Sequence, residues 1–410
     1  MPWKETCAME ERIKFVLHYL EGDLSMAVLC REFGVSRKTG YKIVNRYVEG
    51  GFEGLRDLSR APHHHPNAVS EVLERAVLLA RQAHRTWGPK KLRAWLERQD
   101  SSVSWPSAST IGEILSRYGL TVPRRRSRKM VVYNEPFIGC DYPNAVWSAD
   151  FKGWFTTGDG VRCDPLTISD NYSRYLLRCQ AVLRPNYDGI QPVFEAAFRE
   201  YGLPMAIRTD NGPPFAANTV GGLSRLSIWW LKLGVIPERI APGHPEQNGR
   251  HERMHRTLKK ETATPPKPTW RIQQKAFDYF RHEYNQERPH EALEQKVPAA
   301  LYSPSNRPYP LFLPEVNYPD DMEVRKVRHQ GDFSWKGHHI YLSETLAAEP
   351  IGLKQTTDRF WDIYFGPVKL AQLDTYQLRL VHLPRTPKQS KRNEENKDSI
   401  SKKVLPMCPV

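Results

Sequence analysis

The 410-residue chain has no apolar run approaching the roughly 18 residues that a bilayer-spanning helix needs. Its N-terminus, MPWKETCAMEERIK, lacks the apolar segment of a signal peptide. The six cysteines are scattered and form no CxxC pair, which argues against a zinc ribbon and against a disulfide framework. We therefore expect a protein of the reducing cytoplasm that makes no use of a membrane.

Acidic residues are the minority charge, with 46 Asp and Glu against 60 Lys and Arg, and the formal net charge is +14. This excess favours a polyanionic partner, with nucleic acid ahead of a membrane surface. A hydrophobic content of 40% is sufficient to build apolar cores, so the chain is not wholly disordered. The run His63-His64-His65 has no cysteine or spaced histidine to complete a tetrahedral metal site, so we interpret it as a linker.

The first segment, ERIKFVLHYLEGDLSMAVLCREFGVSRKTGYKIVNRYVEGG, has the pattern of a helix-turn-helix. Phe15, Val16 and Leu20 supply one apolar face, and residues 27–33 supply a second. Gly34 suits the left-handed turn and Ser36 suits the cap of a third helix. The early turns of that helix would then present the DNA-reading side chains, which are Arg37, Lys38, Thr39, Tyr41 and Lys42. A small helical bundle with a solvated basic face is the alternative.

Three further stretches with helical spacing, SEVLERAVLLARQAH, GPKKLRAWLERQ and SASTIGEILSRYG, predict a second helix-turn-helix, either winged or tandem. The run VPRRRSRK follows and includes Arg124, Arg125 and Arg126. Such a run is usually a solvated linker. Between two DNA-facing modules it would add phosphate contacts.

From about Tyr142 the pattern changes to strands that alternate with helices, which predicts a mixed sheet with helices on both faces. Trp147, Trp154, Trp229 and Trp230 are expected in its core. Short strand candidates between Pro308 and Pro384 predict a small all-β barrel, and the polar end of the chain is expected to be disordered.

Three acidic residues lie within predicted strands and helices or at their ends. Asp150 is inside the strand WSADF, Asp210 ends the strand MAIRTDNG, and Glu252 is in the first turns of a long amphipathic helix. Asp164 and Asp170 also lie near strand ends, and we interpret them as turn or cap residues. Phosphoryl transfer depends on positioning and charge, and clustered carboxylates can hold the divalent cations that supply both. This pattern indicates a metal-dependent enzyme acting on nucleic acid.

The blocks WSADFKG, RTDNG and HPEQNGRHERMHRTLK resemble the three catalytic blocks of the DDE transposase and retroviral-integrase superfamily. The chain is similar, in particular, to bacterial insertion-sequence transposases, over about three quarters of its length. This resemblance implies a ribonuclease-H-like core and strand cleavage and transfer with Mg²⁺ or Mn²⁺, two ions per site. Asp150, Asp210 and Glu252 would be the catalytic and metal-binding triad.

Two glutamates compete for the third position. Many relatives place 35 residues between the second aspartate and the glutamate, which selects Glu246 (246 − 210 − 1 = 35). The motif context selects Glu252, because the family's glutamate stands three after a glycine, here Gly249, and opens a basic helix. We prefer Glu252.

Neighbouring residues are then expected to contact DNA. Asn211 follows the second aspartate, and Asn248 precedes the hinge at Gly249. Arg253, Arg256 and Lys259 are spaced at three on the helix that carries Glu252, with a solvated basic face as the alternative.

The predicted enzyme binds the terminal inverted repeats of an insertion sequence, cleaves the ends and joins the 3′-hydroxyls to target DNA. Its partners are double-stranded DNA, both element ends and target, and further copies of itself in a dimer or larger assembly. The alternatives are a ribonuclease-H-like metal nuclease without strand transfer and a non-catalytic helix-turn-helix regulator. The predicted fold class is multidomain, with all-α helix-turn-helix modules, an α/β core and an all-β barrel. The predicted segments are 1–60 (first helix-turn-helix), 66–122 (second helix-turn-helix), 123–140 (basic linker), 141–305 (core), 306–384 (β-barrel) and 385–410 (disordered tail).

Overall fold

The structure is a computed structural model that describes residues 7–59, 68–121, 139–217, 219–240 and 249–382. Within these ranges no helix is both long and apolar enough to cross a membrane. The chain divides into two compact units, Met1–Val69 and Ser70–Val410.

The first unit is a three-helix domain formed by α1 (Ala8–Glu21), α2 (Met26–Glu32) and α3 (Arg37–Gly50). Gly34 adopts the left-handed conformation after α2, with a φ of 64°. Ser36 caps α3 by accepting a hydrogen bond from the Thr39 amide at 3.2 Å. Phe15 and Val16 are buried in the domain core. Leu20, which we expected beside them, is 57% exposed, because the buried face of α1 is narrower than the apolar pattern suggests.

The second unit begins with three helices, α4 (Glu71–Ala83), α5 (Pro89–Gln99) and α6 (Ala108–Arg117). Trp87, Leu92 and Ile111 are fully buried in this part of the unit. Residues 68–121 hold helices and turns but no strand.

The central part of the second unit is an α/β domain built on a mixed sheet. Its elements are β1 (Val146–Phe151), β2 (Phe155–Thr156), β3 (Arg162–Asp170), β4 (Leu176–Val182), α7 (Tyr187–Tyr201), β5 (Ala206–Thr209), α8 (Arg225–Lys232), β6 (Ile236–Arg239), α9 (Gly249–Thr262) and α10 (Trp270–Gln286). The strand order is β2-β3-β1-β5-β6, with β4 also paired to β3. Strands β1, β3 and β4 are antiparallel neighbours, whereas β5 runs parallel to β1 and β6 parallel to β5. This confirms the predicted change from a meander to α/β alternation.

The sheet is covered by helices on both faces, as the sequence predicts. Side chains alternate between the faces along each strand. Leu166 and Ile168 pack with α7 and α8 in one apolar cluster. Cys163 and Cys179 pack with α9 and α10 in another. Cys7, Cys30, Cys163 and Cys179 are free thiols.

The three-helix module of the second unit is bonded to the helices of the α/β domain. His84 lies 3.0 Å from the Glu283 carboxylate on α10. Thr86 donates to the Glu261 carboxylate on α9. The Arg98 guanidinium donates to the backbone oxygen of Glu287 at 2.7 Å. The module is therefore bonded directly to the two helices that cover one face of the sheet.

The chain after α10 returns across the α/β domain. The Arg307 guanidinium donates to the backbone oxygens of Pro204, Leu233 and Gly234, at 2.7, 3.1 and 2.8 Å. The Tyr302 ring stacks on Tyr175 with centroids 4.3 Å apart. The Arg307 contacts hold the segment against the loops that follow α7 and α8.

The C-terminal part is all-β. Its strands are β7 (Glu323–Lys326), β8 (Asp332–Trp335), β9 (His338–Tyr341), β10 (Pro350–Gln355), β11 (Phe360–Phe365), β12 (Val368–Asp374) and β13 (Arg379–His382). Hydrogen bonding joins them as a five-stranded sheet, β13-β12-β11-β10-β7, and a separate β8-β9 hairpin. Their apolar core includes Ile228 and Leu231 of α8, so the sheets pack on the α/β domain. The residues of β7, EVRK, include one apolar side chain and so carry no apolar alternation that would predict a strand.

Candidate active site

Asp150 lies on the central strand β1 and is directed toward α9. On β1, Trp147 and Ala149 belong to the cluster on the α7–α8 face, so side-chain alternation puts Asp150 on the opposite face. The ladder pairs Asp150 with Thr167 of β3. The Asp150 side chain is 17% exposed and lies 3.8 Å from His255 of α9.

Glu252 lies in the first turn of α9 and shares a cavity of about 350 Å³ with Asp150. The cavity is also lined by three cations, Lys152, Arg256 and Lys259. Residues 252, 256 and 259 are separated by one and two turns of α9, so their side chains emerge on the same side of the helix. Two carboxylates and three cations on one concave surface suit a ligand that carries phosphate groups and metal cations.

Asp210 follows β5, the parallel neighbour of β1. The ladder pairs Val146 with Ala206 and Ser148 with Arg208, an offset of 60 positions. Extending this offset by two residues puts Asp210 across from Asp150 (150 + 60 = 210), at the same sheet edge and on the same face. Its backbone is held in a turn, because the Gly212 amide donates to the Asp210 carboxylate at 3.3 Å.

The donor set suits a hard divalent cation. Among the residues that the structure describes, no group of three or more His, Cys, Asp or Glu side chains is arranged to hold a metal. Asp150 and Glu252 nevertheless offer carboxylate oxygens to one cavity. Mg²⁺ in nucleotide-processing sites is usually held by one or two carboxylates together with water and substrate phosphates. Two carboxylates on one cavity therefore fit such an ion.

A buried pair of histidines links α9 to the sheet. The Thr167 hydroxyl donates to the backbone oxygen of Asp150 at 3.1 Å. It lies 2.9 Å from the Nε2 atom of His251 and 2.7 Å from that of His255. Because a hydroxyl has one proton, both imidazoles must donate through Nε2. Burial lowers the pKa of His251 to about 4 and that of His255 to about 2, with His251 and Lys152 adding to the second shift, so both rings are neutral at pH 7. This pair was not predicted from the sequence, although the i, i+4 spacing of the two histidines is visible there.

In the structure, the residues of the core that were predicted to contact DNA lie in different places. Arg256 and Lys259 line the cavity with Glu252, whereas Arg253 lines a different cavity on the other side of α9. The Asn211 amide donates to the backbone oxygen of Ile240 at 2.8 Å and so ties the end of β5 to the end of β6. Arg124, Arg125, Arg126, Asn248 and the competing Glu246 lie outside the described residues.

The predicted DNA-reading residues occupy the first turns of α3, and all are exposed. They are Arg37, Lys38, Thr39, Tyr41 and Lys42. Tyr41 is 52% exposed although it is large and partly apolar. The Thr39 hydroxyl is 2.9 Å from the Ser36 hydroxyl and so belongs to the helix cap.

The remaining acidic candidates have structural partners. Asp170 accepts from the amides of Asn144 and Ser173, both at 2.8 Å, and Asp164 pairs with Arg162 at 2.7 Å. The prediction that four tryptophans fill the core is wrong for one of them. Trp154 is 63% exposed, because it follows β1 in a turn and packs under the Arg162 guanidinium, 5.2 Å from the ring centroid.

Comparison with protein families identifies domains in the order that the fold suggests. Residues 11–63 match the helix-turn-helix domain family, and residues 39–115 match a homeodomain-like domain. Residues 141–245 and 233–298 match two integrase core domain families.

Two insertion-element proteins are similar over much of their length. The chain is 28% identical over 253 residues to the IS407 uncharacterized 31.7 kDa protein of Burkholderia multivorans, covering 60% of this chain and 87% of the relative. It is 28% identical over 267 residues to the IS476 uncharacterized 39.2 kDa protein of Xanthomonas euvesicatoria, covering 62% and 71%. The Gag-Pol polyprotein of baboon endogenous virus is 27% identical over 193 residues, 46% of this chain and 10% of that protein.

Solved structures that resemble the chain include the HTLV-2 integrase catalytic core domain in complex with magnesium, at 16% identity and a TM-score of 0.32. That match covers 40% of this chain and 98% of the other. A simian T-cell lymphotropic virus intasome matches at 16% identity and a TM-score of 0.35, covering 76% of this chain and 100% of the other. The chain therefore has an integrase core domain preceded by helix-turn-helix domains, and it is similar to insertion-element proteins.

Proposed function

We propose that the protein is a DNA transposase that cleaves the ends of its insertion sequence and joins the freed 3′-hydroxyls to target DNA. The observation that carries the proposal is the cavity in which Asp150 and Glu252 lie together with Lys152, Arg256 and Lys259. The matched integrase core domain and the insertion-element relatives support it.

Asp150, Glu252 and Asp210 are the residues that would hold divalent cations, Mg²⁺ or Mn²⁺, two per site. Bound at these carboxylates, such cations would activate an attacking oxygen and stabilise a leaving oxygen. The α9 side chains Arg256 and Lys259 would bind the phosphates on either side of the scissile bond and offset their charge. The neutral His255 ring lies beside Asp150, with its Nδ1 atom 3.8 Å from the carboxylate.

Two successive reactions would use this geometry. Water first attacks the phosphodiester at the element end and releases a 3′-hydroxyl. That hydroxyl then attacks a target phosphodiester, so one P–O bond forms as another breaks. The exposed face of α3 would bind the terminal repeats of the element. Two ends must be handled together, so we propose a dimer or larger assembly on double-stranded DNA, acting in the cytoplasm at the nucleoid.

The test is strand cleavage by the full chain on a duplex that carries the DNA flanking its gene, with Mg²⁺. We expect Asp150→Asn, Asp210→Asn and Glu252→Gln to abolish cleavage, and the control Glu246→Gln to retain it. Full activity of Glu252→Gln, with loss in Glu246→Gln, would reverse the choice of glutamate.

The same assay separates the alternative functions. Products joined to target DNA distinguish a transposase from a metal nuclease that only cuts. Specific binding of the flanking DNA without cleavage in Mg²⁺ or Mn²⁺ would instead identify a regulator.

A further inference from the structure

A second cavity, of about 130 Å³, lies on the other side of α9 from the carboxylate cavity. Its basic lining comes from four separate segments: Lys91 of α5, Arg174 of the β3–β4 turn, Arg253 of α9, and Arg288 with His290 after α10. Helix geometry explains the separation, because residues 253 and 257 emerge about 110° around α9 from residues 252, 256 and 259. The cavity has room for about four waters, each occupying about 30 Å³, or for one group of phosphate size.

The cations in this cavity outnumber the carboxylates beside them. Arg288 is buried and pairs with Glu261 at 3.0 Å. Among the described residues no carboxylate pairs with Lys91 or Arg253. Glu291 pairs with the exposed Lys90 at 3.0 Å.

The lowered pKa values of two titratable groups reflect the positive potential in this cavity. Burial, with the Arg288 charge adding to the shift, lowers the pKa of Lys91 to about 8. Burial likewise lowers the pKa of His290 to about 3, with Lys91 and Arg288 adding to the shift. The Lys91 and Arg288 charges repel each other in this partly buried cavity, and an anion bound between them would relieve the repulsion.

We propose that this cavity binds a phosphodiester group of the DNA backbone. The planar guanidinium groups of arginine suit phosphate oxygens, and Lys91 adds a point charge. The proposal rests on the function proposed above, since it takes DNA as the partner. The bound phosphate would bridge α5 of the second helical module and α9, and Arg253 is the residue next to Glu252. DNA held by that module would thereby be fixed relative to the active site.

The first test is the salt dependence of DNA binding by the full chain in EDTA, comparing Lys91→Met with Lys90→Met. Methionine keeps the aliphatic stem at position 91 and removes repulsion with Arg288, so folding should be retained, which circular dichroism checks. We expect Lys91→Met to weaken binding and to reduce the slope of log K against log salt by about 0.9, the value for one lost phosphate contact. Lys90, whose side chain is 69% exposed, should leave the slope unchanged. Equal slopes for the two variants would overturn the proposal.

The second test uses the wild-type chain and needs no variant to fold. A lysine-acylating reagent is applied at about pH 8, and modification at Lys91 and Lys90 is read by mass spectrometry. We expect DNA to protect Lys91 and not Lys90. Protection by inorganic phosphate at matched ionic strength, without protection by DNA, would overturn the assignment to the DNA backbone.

Neither test requires cleavage, so the two proposals can fail separately. Protection of Lys91 in a protein that does not cleave DNA would support the proposed phosphate site and refute the proposed transposase activity. Cleavage that depends on Asp150, with no effect at Lys91, would do the reverse.

Discussion

The Thr167 hydroxyl is the point at which the helix carrying Glu252 is bonded to the strand pair carrying Asp150. Thr167 is fully buried and accepts from the Nε2 atoms of His251 and His255, at 2.9 and 2.7 Å. Thr167→Val keeps the shape and removes the acceptor. Each buried imidazole N–H left without a partner costs about 1–3 kcal/mol, so we expect α9 to lose about 2–6 kcal/mol of stability. Thr167→Ser is the matched control, because it keeps the hydroxyl and loses one methyl group worth about 1 kcal/mol.

Amide hydrogen exchange across α9 measures the effect, with the separate three-helix unit as an internal reference. A loss of 2 kcal/mol corresponds to about 30-fold faster exchange, so Thr167→Val should exceed that factor while Thr167→Ser stays several-fold lower. Strand cleavage should fall in the valine variant, because Glu252 is no longer held relative to Asp150. Equal exchange of α9 in the two variants would refute the assignment of Thr167 as the acceptor for both histidines.

Two other perturbations follow from packing and from burial. Gly40→Ala would put a Cβ 2.5 Å from the Cys30 sulfur, so we expect the domain to lose about 1–3 kcal/mol of stability, measured as faster amide exchange in α2 and α3. Gly50→Ala is the control, because a Cβ at that position meets nothing within 4 Å. Equal exchange in the two variants would contradict the close packing at Gly40. His290 has its pKa lowered from 6.5 to about 3 by burial and by nearby cations, so the unfolded chain takes up the proton first as the pH falls below about 6.5. Stability should therefore decline between about pH 6.5 and 3, by up to about 1.4 kcal/mol per unit more than in His290→Gln. Urea denaturation at about pH 7, 6 and 5 measures the difference, and parallel curves for the two proteins would show that the ring is not buried as a neutral group.

The elements that depend on local interactions could be predicted from the sequence. The cap at Ser36 and the left-handed turn at Gly34 need only residues within one turn, and both are present. The alternation of apolar and polar residues around Asp150 likewise indicates the strand β1. The amphipathic patterns of α9 and α10 indicate two helices. The prediction failed at Trp154, which is exposed under the Arg162 guanidinium, because a local pattern does not show which element covers a side chain.

The sequence by itself determined the order of modules, the basic character, and three carboxylates within strands and helices or at their ends, because these follow from composition and from short-range periodicity. Only the tertiary structure decided which groups meet. It brings Asp150 and Glu252 into one cavity, although they are about a hundred residues apart, and directs Arg253 into another. It also brings Lys91 of α5 and Arg288, which follows α10, to the lining of a single cavity. These contacts depend on which faces of distant elements pack together. The spacing of residues along one segment does not predict that packing.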